Sequence, residues 1–290
     1  MNNLCFGHKK LDIDLWTPEF VHLSKCCLYN DEVKLPIEDV IAHNWDLTYL
    51  NNYYLSQQKM VPFSNAICKG FSKCPVGDLE DNIIDSVNVN QCKCNLKCYM
   101  CPGTPYVDDK IKDLYFNVLK SFKGKHLKTL ALTNSGEPFF WKKETFEFLN
   151  EIDSSFCENL NIITNGTLLE PEDIKHLELI QASSGVKIHV VVSMSGITPE
   201  TYKIMHCNSA FEKVKRNILL LRDASLLDHV NVVLSKNNIH EIYDIIHFWQ
   251  NENVALEVLT IRGVETDIIE NHPDFNAFKA GFALECRVLN

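Results

Sequence analysis

Three cysteines stand close together in Cys94-Asn95-Leu96-Lys97-Cys98-Tyr99-Met100-Cys101-Pro102, a C-x₃-C-x₂-C spacing that follows a short apolar-alternating run. An iron–sulfur cubane ordinarily takes about four protein thiolates. Three thiolates on one short loop leave an iron without a protein ligand, and an open coordination position is what a catalytic metal centre keeps and a structural one lacks. Zinc is the competing chemistry. A zinc site usually joins one C-x₂₋₄-C pair to a second, distant pair, so zinc on this loop would need one of the distant cysteines.

The elements that must position this loop can be read from periodicity. Ser86 to Val89 is a short strand leading into it. From there apolar runs and helical spacings alternate. Strands are predicted over 127–132, 160–164, 186–192, 230–234 and 254–261, and helices over 108–122, 142–152, from Glu170-Pro171 onward, from Thr198-Pro199 toward Arg222 with a break near Asn208, over 240–250 and over 273–284. Six strands alternating with helices predict a parallel α/β architecture. Pro75-Val76-Gly77-Asp78 is turn chemistry and the following residues are acidic, which puts a domain boundary near residues 75–86 and divides the chain into 1–80 and 81–290.

Composition narrows the classes. The chain of 290 residues is 46% apolar, enough for a large core, and its net charge is −10. Basic residues form no stripe, which disfavours a nucleic-acid partner held through phosphates. No apolar run is long enough to span a membrane, and no basic-then-apolar segment opens the chain, so a cytoplasmic location is expected. Twelve cysteines are many for a reducing compartment, where metal ligation or catalysis is the usual reason for them. Nine of the twelve fall within the first 101 residues; Cys157, Cys207 and Cys286 are scattered beyond.

Three of the predicted strand ends carry a polar turn. Thr133-Asn134-Ser135-Gly136-Glu137-Pro138 follows the second strand, Thr164-Asn165-Gly166-Thr167 the third, and Ser193-Met194-Ser195-Gly196 the fourth. With the cysteine loop after the first strand, the order of these motifs over about residues 87–263 resembles the radical S-adenosylmethionine (SAM) superfamily, most closely its branch with cysteine-rich auxiliary (SPASM or twitch) domains. The resemblance implies a partial (β/α)₆ TIM-like barrel with chemistry at the carboxyl ends of the strands. It implies a [4Fe-4S] cluster on Cys94, Cys98 and Cys101 whose open iron chelates SAM. Reductive cleavage then yields a 5′-deoxyadenosyl radical that abstracts a substrate hydrogen. Gly136, Glu137 and Pro138 match the glycine–glutamate–proline motif that meets the SAM amino group, with Ser135 in place of the usual first glycine. Asn165 lies in the family's Thr-Asn-Gly turn. Ser193 and Ser195 fall near the ribose, Ser195 where aspartate is common. His206 stands where an arginine often reaches the SAM carboxylate. Met100 and Leu259 fall near the adenine.

Residues 1–75 have a separate cysteine pattern, with a strand expected at Phe20 to Leu23 and a helical stretch through Trp45, Leu50 and Tyr54. The resemblance implies a second [4Fe-4S] cluster here, on Cys5, Cys26, Cys68 and Cys74, with Cys27 as the alternate to Cys26; zinc fits the same sulfurs. It further implies a reducing partner such as flavodoxin or ferredoxin and a substrate that is a ribosomally made peptide or, as the alternative, a sugar or aminocyclitol to be oxidised. A peptide epimerase would need a thiol hydrogen donor, for which Cys207 is the candidate. Two readings of another class are a non-catalytic iron–sulfur or SAM-sensing protein and a zinc-stabilised binding protein.

Overall fold

Side-chain alternation builds the first barrel strand. Val87 and Val89 are fully buried on one face of Ser86–Asn90, and Asn88 and Asn90 occupy the other. This strand is β6 of a computed structural model that describes residues 4–5, 10–24, 33–57, 76–77, 84–101, 110–132, 135–261, 269, 271–275 and 287–289. Cys26, Cys27, Cys68, Cys74, Pro102, Thr133, Asn134 and most of the helix expected over 273–284 lie outside the described residues. The described chain divides into two compact units, Met1–Lys93 with Thr104–Ile162 and Ile180–Ile188, and Cys94–Gly103 with Ile163–Leu179 and His189–Asn290.

In the first unit, β1 (Leu4–Cys5) pairs antiparallel with β5 (Val76–Gly77). The larger sheet runs in the order β4 (Val33–Pro36), β3 (Phe20–Ser24), β2 (Lys10–Asp14), β6, β7 (Leu127–Leu132), β8 (Cys157–Thr164). The β2–β3 and β3–β4 pairings are antiparallel, and β2–β6, β6–β7 and β7–β8 are parallel. Sequence periodicity left β2 and β4 unassigned. The reason β2 forms is plain in Leu11-Asp12-Ile13-Asp14: both apolar residues are fully buried, in register with Val87 and Val89, and Asp12 and Asp14 fall opposite Asn88 and Asn90. The N-terminal strands therefore share a sheet with the strand that leads into the cysteine loop. Two short helices, α1 (Ile37–Ala42) and α2 (Leu47–Gln57), follow β4. Helix α3 (Ile111–Ser121) packs on β6 and buries Ile111, Tyr115, Val118 and Leu119, and α4 (Lys142–Glu151) buries Phe148 and Leu149. Each fully buried side chain of this size contributes about 1.5–3 kcal/mol.

Helix α5 (Pro171–Ser184) and strand β9 (Lys187–Ser193) contribute residues to both units. In the second unit β9, β10 (Leu227–Leu234), β11 (Leu256–Thr260) and β12 (Arg287–Leu289) pair in parallel in that order. The helix expected from Thr198 to Arg222 is two, α6 (Pro199–His206) and α7 (Phe211–Asp223), because Cys207 turns left-handed (φ 50°, ψ 35°) and ends the first. Helix α8 (Ile242–Asn251) precedes β11. Strands β6 to β11 thus alternate with helices as the βα repeat of a partial TIM-like barrel.

Candidate functional site

In the second unit the cysteine loop is anchored by amides. Asn95 Nδ2 donates to Thr167 Oγ1 at 2.9 Å, and Asn165 Nδ2 donates to Asn95 Oδ1 at 2.9 Å. Asn165 Oδ1 accepts from Thr167 N at 2.9 Å and Thr167 Oγ1 at 2.6 Å, which closes a triangle of three side chains. The Thr-Asn-Gly-Thr turn is itself folded by Thr164 Oγ1, which accepts from Gly166 N at 3.0 Å. Buried Asn217 on α7 donates to Gly166 O and Leu169 O at 3.1 and 2.9 Å, fixing that turn from behind. Farther along the loop, Tyr99 N donates to Met205 O at 2.8 Å and Cys101 N to Cys98 O at 3.1 Å.

The sulfurs are met by nitrogen donors. Cys94 Sγ lies 3.4 Å from Leu96 N and 3.7 Å from Asn165 Nδ2. Cys98 Sγ lies 3.6 Å from His206 Nδ1 and 3.9 Å from His206 O. His206 was expected to reach the SAM carboxylate. Instead the ring is 1% exposed and both its nitrogens are used inside the protein, Nε2 accepting from Ser195 N at 2.9 Å. Burial pulls its pKa down to about 4, so the ring is neutral at ordinary pH. Tyr202 stacks on it at 4.5 Å and 21°.

Two buried polar side chains hold this arrangement. Glu241 accepts from Thr198 Oγ1 (2.9 Å), Thr201 Oγ1 (2.6 Å) and Ile197 N (3.1 Å), clamping the first turn of α6. Thr198 is also the helix cap, accepting from Thr201 N at 3.2 Å, with Pro199 at the first helical position. Gly196 lets α6 sit close: a Cβ there would meet Tyr202 N at 2.6 Å. Asn238 donates to Ser195 O and Val233 O at 2.9 and 2.8 Å and accepts from Ser235 N at 2.7 Å, joining the ends of β9 and β10. Periodicity gave no signal for Glu241, whose partners are remote in sequence, or for the bond from Asn238 to Ser195.

The donor set suits an iron–sulfur cluster. Cys94, Cys98 and Cys101 are in no disulfide; the first two are half-buried and Cys101 is exposed. Burial, followed by the adjacent sulfurs of Cys94, Cys101 and Cys207, pushes the Cys98 thiol up to about 12. Crowded thiolates of this kind become stable only against a cationic centre. Among the described residues no three His, Cys, Asp or Glu side chains are close enough to hold one metal ion.

The other expected SAM contacts fall in different settings. In the first unit Gly136 (φ +106°) presses its backbone on the strand exit: a Cβ there would meet Lys93 O at 2.9 Å. Cys92 N donates to Ser135 O at 3.1 Å, Glu137 N to Lys93 O at 2.8 Å, and Gln91 Nε2 to Glu137 O. Glu137 is fully buried and its Oε1 accepts from Phe139 N at 3.1 Å, capping the 3₁₀ turn Pro138–Trp141; buried Pro138 opens that turn. In the second unit Ser193 is half-exposed at the end of β9, whereas Ser195 is buried with its Oγ accepting from Val233 N at 3.0 Å. Met100 and Leu259 are half-exposed, and Cys207 is exposed, its Sγ 3.9 Å from Ile204 O.

One ionisable group was not anticipated. His229 Nδ1 donates to Asp228 Oδ2 at 2.6 Å, and Nε2 faces Glu257 Oε2 and Asn231 Oδ1, both at 2.9 Å. Burial alone would lower its pKa, but the hydrogen bonds to Glu257 and Asp228 outweigh it and the net shift is upward. Alternation of His229, Asn231 and Val233 along β10 was the available signal.

Residues 91–248 match the Radical SAM superfamily. A probable GTP 3′,8-cyclase of Methanothermobacter marburgensis is 28% identical over 176 residues, 58% of this chain and 54% of the relative. An AdoMet-dependent heme synthase of Methanosarcina barkeri is 29% identical over 153 residues, 51% of this chain and 42% of the relative. The chain thus spans about half the length of the curated relatives it matches. Among solved structures, native anSMEcpe with bound AdoMet gives a TM-score of 0.50 at 17% identity, covering 71% of this chain and 63% of that one. SuiB of Streptococcus suis gives 0.50 at 15% identity, covering 86% and 62%. At such identities the likeness is one of fold.

Proposed function

The chain belongs to the radical SAM superfamily, and from that premise we propose that it is an enzyme in which Cys94, Cys98 and Cys101 hold a [4Fe-4S] cluster that binds SAM. When bound, the cluster and SAM supply a reducing electron and a hydrogen-abstracting 5′-deoxyadenosyl group. The chain's own residues position and shield. The Asn95–Asn165–Thr167 triangle fixes the loop on which the thiolates stand. Gly136 and Glu137 hold the backbone at Cys92 and Lys93 just ahead of the loop, the role their contacts support, with the SAM amino group at that turn the expected ligand. Ser193, half-exposed at a strand end, is the hydroxyl offered to the ribose. The single observation that carries this reading is the trio of unbridged thiols on one anchored loop.

For the substrate we infer a ribosomally made peptide. The curated relatives include probable GTP cyclases, and a nucleoside triphosphate calls for cationic partners. The strand face carrying His189, Ser193, His229, Asn231, Glu257 and Leu259 is mostly neutral or acidic; among the described residues of the second unit one arginine, Arg287 on the edge strand β12, lies in register with Glu257. In the first unit one face of β6 to β8 carries Asn88, Asn90, Asn159 and Asn161, and Lys10 of the neighbouring β2, in register with Ser86, is paired with Asp12. Amide and hydroxyl groups suit the neutral donors and acceptors of a peptide. A flavodoxin or ferredoxin is the proposed electron donor.

Anaerobic reconstitution with iron and sulfide, followed by SAM and dithionite, is the test. We expect a brown protein that produces 5′-deoxyadenosine, with no acceleration by GTP. A protein that holds zinc and no iron, or that binds SAM without cleaving it, would reject the enzymatic reading. GTP-dependent turnover would reject the peptide.

A further inference from the structure

The imidazole of His206 is fixed in one tautomer by its surroundings. A backbone amide, Ser195 N, points at Nε2 from 2.9 Å. That nitrogen must accept, so it carries no proton, and the ring's one proton sits on Nδ1. Nδ1 faces Cys98 Sγ at 3.6 Å, within the longer range of hydrogen bonds to sulfur. A free Cys98 thiol could donate to His206 O at 3.9 Å, but a thiolate bound to iron has no proton to give and keeps only the Nδ1–H contact. The ring cannot swing away. Tyr202 stacks on it, and Ser195 is held by Asn238 Nδ2 at 2.9 Å and by Val233 N on its Oγ at 3.0 Å. The ring sits on the last residue of α6, whose first turn is clamped by Glu241.

We propose that His206 is a positioning residue for the cluster, donating its Nδ1–H to the Cys98 sulfur and thereby setting the cluster's reduction potential. This rests on the assignment of Cys98 as a cluster ligand. The physical basis is that an N–H directed at a ligand sulfur stabilises the more negative, reduced state, and hydrogen bonds to the sulfurs are among the determinants of cluster potential. The imidazole would make the cluster easier to reduce by its electron donor and correspondingly a milder reductant. It also means that the residue expected to touch SAM acts through Cys98.

The test is an EPR-monitored redox titration of the reconstituted full chain without SAM. For His206→Leu we expect the one-electron equilibrium to move toward the oxidised form by about tenfold, about 59 mV more negative. His206→Asn, whose amide nitrogen reaches near the Nδ1 position, is expected to recover most of that shift. An unchanged potential in His206→Leu overturns the proposal. As a measurement that needs no variant, ¹⁵N-histidine labelling should give hyperfine coupling from an imidazole nitrogen to the reduced cluster, and its absence also overturns the proposal. If the unaltered chain forms no cluster at all, the cofactor assignment itself fails, and that result is distinct from a cluster of unchanged potential.

Discussion

Asn165 Nδ2 donates to Asn95 Oδ1 at 2.9 Å, so the turn after the third barrel strand holds the second residue of the cysteine motif. Asn165→Ala removes this bond and two more to Thr167. Since breaking one partner of a buried hydrogen bond costs about 1–3 kcal/mol, we expect a loss of about 2–4 kcal/mol in urea unfolding and a lower iron content after gel filtration. Unchanged iron content would show that the loop is held by other contacts.

Glu241 accepts three hydrogen bonds at the start of α6. Hydrogen bonds to a charged group are worth about 1.5–3 kcal/mol each. Glu241→Ala should therefore lower stability by about 3 kcal/mol or more, and Glu241→Gln, which keeps one acceptor, by less. Thermal melts of the two variants check the ranking; equal losses would count against the clamp.

Gly136 combines a φ of +106° with a Cβ position 2.9 Å from Lys93 O. Gly136→Ala meets both backbone strain and a clash with main chain that has no flexible end to move. A loss of about 2–4 kcal/mol is expected, with weaker cluster incorporation, read from the denaturation midpoint and the cluster absorbance. Gly185→Ala, at a φ of +74° with open space around it, should cost less, which separates the clash from the strain.

The His229 ring donates to two carboxylates, and its pKa is held above the ordinary 6.5. The fold therefore favours the protonated ring. Its stabilising contribution is complete below the unfolded value and is lost as pH rises through the raised folded value. Denaturation midpoints should fall as pH rises above the ordinary imidazole value of about 6.5, and His229→Gln should flatten that slope. A slope that persists in the variant would assign it to another group.

Much of the framework was legible because it is local. Val87 and Val89 alternate with asparagines, and Thr198-Pro199-Glu200 starts a helix with a cap, a proline and an acid. The polar turns were found because each follows an apolar run. What escaped depends on residues that meet only after folding. Leu11 and Ile13 mark β2 once Val87 and Val89 lie beside them. Glu241 lies forty and forty-three residues from the Thr201 and Thr198 it binds. His206 was assigned to SAM because spacing cannot show which way a ring faces; that is decided by the left-handed turn at Cys207 and the amide of Ser195.

The loop's exposure is uneven. Cys94 and Cys98 are half-buried beneath nitrogen donors, and Cys101 is exposed. Thiol-directed reagents in solution therefore reach Cys101 ahead of Cys94 and Cys98. Modification there should remove one of the three candidate ligands while the sheltered pair is still intact, so how well the loop survives handling is governed by a single sulfur.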